Sequence, residues 1–316
     1  MVTIGALLAD PKYPEKLILQ KVFCALTSCS REDLRMRLDK ELDEDLLKKI
    51  TDAHILYVRD KKPLEYLLGY AEFFWNKFIV SEATLIPRPE TEYMITAVTE
   101  HVALLKWQNA QMTHHWNIES ISHWNILLDI WTGCGVLGIS VLLQNPGFFS
   151  EAVFTDYFEN ALEIAKKNYQ WLITNYQWKV DFLHADLLDF LNDGTIETWK
   201  DGNIILVANL PYIPEKAFEE NAADNVKKWE PKPAFVWGED GLDYYRTMFQ
   251  QLLSLFKSPF VSPFIKEAPS MDRFTMFLEM MTWQVDILRQ EYGEQFEFEE
   301  VKTFHFNIRI VKAWMK

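Results

Sequence analysis

Asp129-Ile130-Trp131-Thr132-Gly133-Cys134-Gly135-Val136-Leu137-Gly138 joins two different rhythms. Before it, Leu127-Leu128-Asp129-Ile130 is a short apolar run that reads as a strand; after it, Val136 to Leu143 reads as a helix. Gly133 and Gly135 stand at the joint, where a sharp turn favours residues without a Cβ. The alternation then continues. Ala152 to Asp156 reads as a strand, Ala161 to Trp171 as a helix, Val180 to Leu183 and Asn203 to Ala208 as strands, and Leu242 to Phe256 as a helix. Strands separated by helices imply βαβ units and a mainly parallel sheet with ligands at its carboxyl edge. Glu297 to Val301 and Phe304 to Val311 alternate apolar and polar residues and are expected to add an antiparallel pair at one edge.

Upstream, the pattern differs. From Leu17 to about Leu56 apolar residues recur every three or four positions, with Ser30 an N-cap candidate and Asp43 opening another amphipathic run, so residues 1–62 are expected to form a small helical domain. Within residues 63–106, Glu72-Phe73-Phe74 and Lys77-Phe78-Ile79-Val80 read as a hairpin, and Pro89 followed by acidic residues suits the first turn of a helix running to about Leu105. Residues 107–125 are polar, with His114, His115 and His123 but no carboxylate or Cys at ligand spacing, and read as an irregular insertion without a metal. Residues 126–316 complete the main domain.

Composition narrows the function classes. At 316 residues, with 25% charged and 49% hydrophobic residues, the chain has material for a large core and is neither a disulfide-stapled miniprotein nor a disordered or fibrous one. A formal net charge of -14 opposes binding to a phosphate backbone and suits an enzyme acting on a protein or small molecule. Cys24, Cys29 and Cys134 form neither a disulfide framework nor a four-ligand zinc site, which fits reduced thiols in a cytoplasm. No basic leader precedes an apolar run, and no stretch approaches ~18 consecutive apolar residues, so neither export nor a membrane span is expected. One count is unusual: 11 Gly against 12 Trp, where a chain of this length ordinarily carries roughly 22 glycines.

Two motifs carry chemistry. Gly133-x-Gly135-x-x-Gly138 has the dinucleotide spacing, free N–H groups at the helix start face a ligand, and Asp156, closing the next strand, suits ribose hydroxyls. Alone, this supports NAD and S-adenosylmethionine almost equally, with a plain tight turn as the bland alternative. The second is Asn209-Leu210-Pro211-Tyr212, directly after the apolar strand Ile204 to Ala208. A planar amide there can accept a hydrogen bond from a substrate NH2 group while a backbone carbonyl takes its second hydrogen. That orients the nitrogen toward a sulfonium methyl, so positioning supplies much of the catalysis without a charged base. NAD would leave this tetrapeptide unused. Between the motifs, Asp186 could accept from an adenine amino group with apolar neighbours covering the ring, or could simply cap the next helix.

Taken together, Pro63-Leu64-Glu65-Tyr66 with Gly69, Ile86-Pro87-Arg88-Pro89-Glu90-Thr91-Glu92, the Asp129 turn, Asp156 with Asn160-Ala161-Leu162, Ala165 and Asn168, Asn209-Leu210-Pro211-Tyr212-Ile213-Pro214, Glu230-Pro231 and Gly238-Glu239-Asp240-Gly241-Leu242-Asp243 resemble the release-factor glutamine methyltransferases, in order from about residue 63 to 290. The resemblance implies a seven-stranded, Rossmann-like α/β methyltransferase sheet behind a small helical domain that docks the substrate protein. It also implies S-adenosyl-L-methionine as cofactor and, as substrate, the side-chain amide of glutamine in the Gly-Gly-Gln motif of a peptide chain release factor. By position, the turn Asp129, Trp131, Thr132, Gly133, Cys134 and Gly135 would hold the cofactor, with Thr132, Gly133 and Gly135 along its methionine part. Asp156 would take the ribose, Asp186 with Leu187 the adenine, and Asn209, Leu210, Pro211 and Tyr212 the glutamine, with Asn209 also touching the cofactor and Asn209, Pro211 and Tyr212 as the catalytic set.

The departures are informative. Leu210 replaces the family's first proline, and Asn-Leu-Pro-Tyr is familiar in enzymes that dimethylate adenine in ribosomal RNA, so an adenine-amino methyltransferase is the alternative enzyme and an inactive binding module the alternative outside enzymes. Trp75, Trp131 and Trp237 fall on family glycines, and an indole at 131 would occupy space needed by the methionine moiety. With Gly depleted and Trp in excess, these positions suggest UGA codons that the source organism reads as glycine.

Overall fold

Caps set the amino-terminal helices of the computed structural model, which describes residues 2–113, 125–174, 178–193, 202–257, 274–301 and 308–316. The chain begins β1 (Val2–Thr3), α1 (Ile4–Ala9), α2 (Lys16–Thr27), α3 (Arg31–Met36), β2 (Glu41–Leu42) and α4 (Glu44–Asp60), with β1 and β2 paired antiparallel. Ser30 Oγ accepts from the Asp33 N–H while the Asp33 carboxylate accepts from the Ser30 N–H, so two otherwise orphaned donors of α3 are satisfied reciprocally. Asp43 caps α4 more simply, its carboxylate accepting from the Leu46 N–H. These elements bury Leu19, Val22, Leu34 and Ile50 among themselves. They are tied to the rest by the Trp229 indole, whose N–H donates to the Asp60 carbonyl at 2.9 Å beneath the Lys62 ammonium.

Helix α5 (Leu64–Leu68) ends at Gly69 and leads into the expected hairpin, β3 (Tyr70–Phe73) and β4 (Asn76–Ile79). Its two-residue turn is Phe74-Trp75, with φ of 42° and 69°. Positive φ at both positions marks the mirror-image turn whose twist matches the strands. A 3-10 turn at Pro89–Thr91 then opens α6 (Glu92–Thr113). Sequence reading ended this helix near Leu105; it continues because Lys106, Gln108, Ala110 and Gln111 are good helix formers although they offer no apolar face. Residues 107–113 are therefore helical rather than irregular, and His114, His115 and His123 lie outside the described residues.

The main sheet follows the sequence expectation. Its elements are β5 (Asn125–Ile130), α7 (Val136–Gln144), β6 (Phe149–Asp156), α8 (Glu159–Leu172), β7 (Lys179–His184), β8 (Ile204–Ala208), α9 (Glu215–Asn221), α10 (Asp224–Trp229), α11 (Asp243–Lys257), β9 (Phe274–Met281), α12 (Thr282–Tyr292), β10 (Phe296–Val301) and β11 (Ile308–Met315). Seven strands are ordered β10-β11-β9-β8-β5-β6-β7, with β11 antiparallel to both of its neighbours and the other pairings parallel. Every residue of β8 is buried, as an almost continuous apolar strand covered on both faces should be. One face packs Ile130, Leu206, Tyr245 and Met276; the other packs Leu127, Phe154, Ile205 and Phe277. The antiparallel pair is present; β11 reaches Met315, beyond the expected end at Val311, because alternation alone does not fix where a strand stops, while residues 304–307 lie outside the described residues. Among the described residues no helix is long and apolar enough to cross a membrane.

Candidate active site at the carboxyl ends of the two central strands

From β5 the chain winds to β6 and β7 on one side, then returns to β8 and β9 on the other. Such a reversal leaves a crevice at the strand ends where a ligand can lie. Ile130 pairs with Ala208, so residues 131 and 209 leave the sheet side by side. The two motifs singled out in sequence thus meet at one place.

The turn after β5 is braced from below. Asp129 is fully buried; its Oδ2 accepts from the Thr132 hydroxyl at 2.6 Å and the Gly138 N–H at 2.8 Å. A Cβ at Gly138 would stand 2.7 Å from that oxygen and 2.6 Å from the Phe154 ring, so only glycine lets the helix come this close. Burial pushes the Asp129 carboxyl up to about 7. Asp129 was expected to touch the cofactor, but it lies beneath the turn, and Gly135, the N-cap of α7, is likewise buried and off the cavity wall. Asp156 is also buried, with Oδ2 accepting from the Gly133 N–H and Oδ1 from the Phe158 N–H, both at 2.9 Å. Loss of water raises its carboxyl to about 6 against those two hydrogen bonds.

Above the turn is a cavity of about 220 Å³ whose walls include Arg88, Thr132, Gly133, Cys134, Asp156 and Asn209. Of the four residues after β8, only Asn209 lines it. Leu210 and Pro211 are buried, and the Tyr212 hydroxyl donates away to Glu279 Oε1 at 3.0 Å. Gln284 Nε2 holds the Tyr212 and Asp240 carbonyls together, each at 2.8 Å. Leu210, Pro211 and Tyr212, expected to grip the substrate, do not line this cavity and shape the loop that presents Asn209. Asp186 and Leu187 do not line the cavity either: Asp186 is exposed and Leu187 fully buried.

Sequence reading missed Glu279. It is buried, and beside accepting from Tyr212 it interacts with the side chains of Thr91 and Asn209; desolvation raises its carboxyl. The Asn209 amide nitrogen donates to the Thr91 hydroxyl at 3.3 Å, which leaves the amide oxygen as the group available to a substrate N–H. The signal for Glu279 was present as the one charged residue in the largely apolar strand Phe274–Met281. A second brace comes from Glu230, which accepts from the Arg88 guanidinium at 2.7 Å and the Ile86 N–H at 3.1 Å, fastening the proline-rich segment across the cavity.

Trp131 occupies the remaining wall. Its indole packs 4.4 Å from the Tyr244 ring, 6.0 Å from Phe158 and 6.5 Å from Tyr157, centroid to centroid. The Tyr244 hydroxyl lies in the field of both Asp156 and Asp186. The indole thus forms part of the cavity wall, and its Nε1 is buried without a hydrogen-bond partner.

A sheet in this order with an Asn-x-Pro-Tyr loop beside a glycine turn defines an S-adenosylmethionine-dependent methyltransferase. The chain is 32% identical over 243 residues to the release factor glutamine methyltransferase of Bacillus cereus, covering 77% of this chain and 76% of that relative. The enzymes of the same name from Clostridium acetobutylicum (32%, covering 65% and 62%) and Bacillus subtilis (28%, covering 73% and 71%) are also similar. The chain belongs to the release factor glutamine methyltransferase family. No family model matches it. The catalytic domain of hMettl16 in complex with MAT2A 3'UTR hairpin 1 aligns at a TM-score of 0.48 and 14% identity over 98% of this chain and 90% of that one, too weak a likeness to inform fold or substrate.

The family's methyl donor is S-adenosylmethionine, and the residues here fit only part of it. Thr132, Gly133 and Cys134 leave open space in front of the turn, where the sequence reading set the indole against the methionine moiety. The Trp131 ring packs instead among Tyr157, Phe158 and Tyr244, and the cavity lining includes neither Asp186 nor Leu187, the pair expected at the adenine. With tryptophan at 131 the cavity joins Thr132 and Gly133, expected at the methionine moiety, with Asp156, expected at the ribose, but not with the residues expected at the adenine.

Proposed function

We propose that the protein N-methylates the side-chain amide of the glutamine in the Gly-Gly-Gln motif of a peptide chain release factor, and so works in the cytoplasm where translation ends. The observation that carries this reading is Asn209, a neutral amide whose nitrogen is engaged by Thr91 and whose oxygen is left to accept from a substrate NH2 group. A carboxamide nitrogen is a weak nucleophile, so holding it in one orientation is the main service a protein can supply. Asn209 supplies the acceptor, the loop backbone a second one, and the Glu279–Tyr212 pair fixes the loop. The net charge of -14 supports a protein rather than an RNA substrate.

The test is methyl transfer from labelled S-adenosylmethionine to purified release factor and to ribosomal RNA by the Trp131→Gly form, with Asn209→Ala added to that form as the variant. Label on the release factor glutamine, reduced ~100-fold or more in kcat by Asn209→Ala, is expected from the loss of orientation. Label on RNA instead would replace this reading with the adenine-amino alternative.

A further inference from the structure

Six described residues other than glycine have positive φ, and two of them are Trp75 (69°) and Trp131 (57°). For a bulky L-residue this backbone is a genuine outlier. The local geometry asks for glycine at each. In the turn after β5, residues 131, 133 and 135 alternate into the left-handed region at 57°, 57° and 81°, and the latter two are glycines. In the hairpin, residue 75 is the second position of a turn with positive φ at both centres, the position where glycine is most favoured. Neither place suits an indole: Trp75 is 96% exposed, and Trp131, although it packs against aromatic rings, buries an unpartnered N–H.

We propose that residues 75 and 131 are glycine in the protein its own cells make, through codons those cells read as glycine, and that the form with glycine at 131 is the one able to hold the methyl donor. The counts agree, since 11 Gly and 12 Trp in 316 residues are out of proportion in opposite directions. Removing the indole opens a slot bounded by Tyr157, Phe158 and Tyr244, reconnecting the cavity with Asp186. Trp237 is different: it stacks on Tyr244 at 4.5 Å without a left-handed backbone, so the structure gives no such argument there.

This inference rests on the family's donor and not on the glutamine reading, so its test is binding and covalent mass rather than turnover. Peptides spanning 75 and 131, from protein isolated from its own cells, should have masses that place glycine at both positions; tryptophan at either overturns the proposal. In calorimetry with S-adenosylhomocysteine, Trp131→Gly should bind at least ~100-fold tighter than the tryptophan form, because a filled slot becomes open. Equal affinity, or no binding by a Trp131→Gly protein whose circular dichroism and melting show it folded, would overturn it.

Discussion

Asp156 is a carboxylate caught between two uses. Its oxygens hold the Gly133 and Phe158 N–H groups, yet it has lost nearly all contact with water, and its carboxyl is raised to about 6. Between about pH 4 and pH 6 the folded protein keeps a proton that the unfolded chain has released, so this group's contribution to stability falls as pH rises through that window and stays reduced above it. The rise from 3.8 to about 6 corresponds to ~3 kcal/mol. In urea unfolding of the wild type and Asp156→Asn across pH 4 to 7, the variant should gain on the wild type as pH rises; a constant difference would contradict this account. Thr132 and Gly133 would feel the change first, since both belong to the same turn.

At the scale of elements, the hairpin of β3 and β4 gives a clean comparison, because Trp75 touches so little. Trp75→Gly relieves a left-handed backbone worth ~1–2 kcal/mol but frees the unfolded chain, leaving a net gain of roughly 0.5–1 kcal/mol. A shift of the unfolding midpoint to higher denaturant at unchanged m is the expected result. Much of this level was legible in sequence. The strands β5 and β8 announced themselves as apolar runs, each stopped by a polar or glycine-bearing loop, and pairing of Ile130 with Ala208 then brought both loops together. What stayed hidden depended on contacts distant along the chain. Glu279 binds the loop of Asn209 from another strand, and Tyr212, which looked like a substrate contact, turns its hydroxyl to that carboxyl. The end of α6 was misjudged because helix-forming polar residues carry no periodicity. Asp129 and Gly135 lie in the right motif but on its inner side, a distinction that spacing cannot convey.

At the scale of the whole molecule, the amino-terminal helices have their own buried residues and are held to the sheet by few specific contacts. Trp229 is central among them: its N–H donates to the Asp60 carbonyl, and Lys62 and Lys228 both lie over its ring. Trp229→Phe keeps the ring and removes the donor, which should loosen this junction by ~1 kcal/mol. Limited trypsin digestion should then cut faster at Lys61, while the cooperative unfolding of the main sheet is unchanged; equal digestion rates would mean the hydrogen bond holds nothing in place. The proline-rich segment, which leads into α6, is likewise held over the cavity by a contact distant along the chain, between Arg88 and Glu230.

Strand β11 follows ten others in the chain but is hydrogen-bonded on both sides, between β9 and β10. During synthesis, β9 therefore emerges with an edge of unpaired backbone N–H and C=O groups that residues 308–315 later pair. Bare borders of this sort recruit strands from neighbouring polypeptides. A nascent chain stalled before residue 308 would lack its inner seam and be prone to clump with others, a vulnerability that ends when the last strand slides into place.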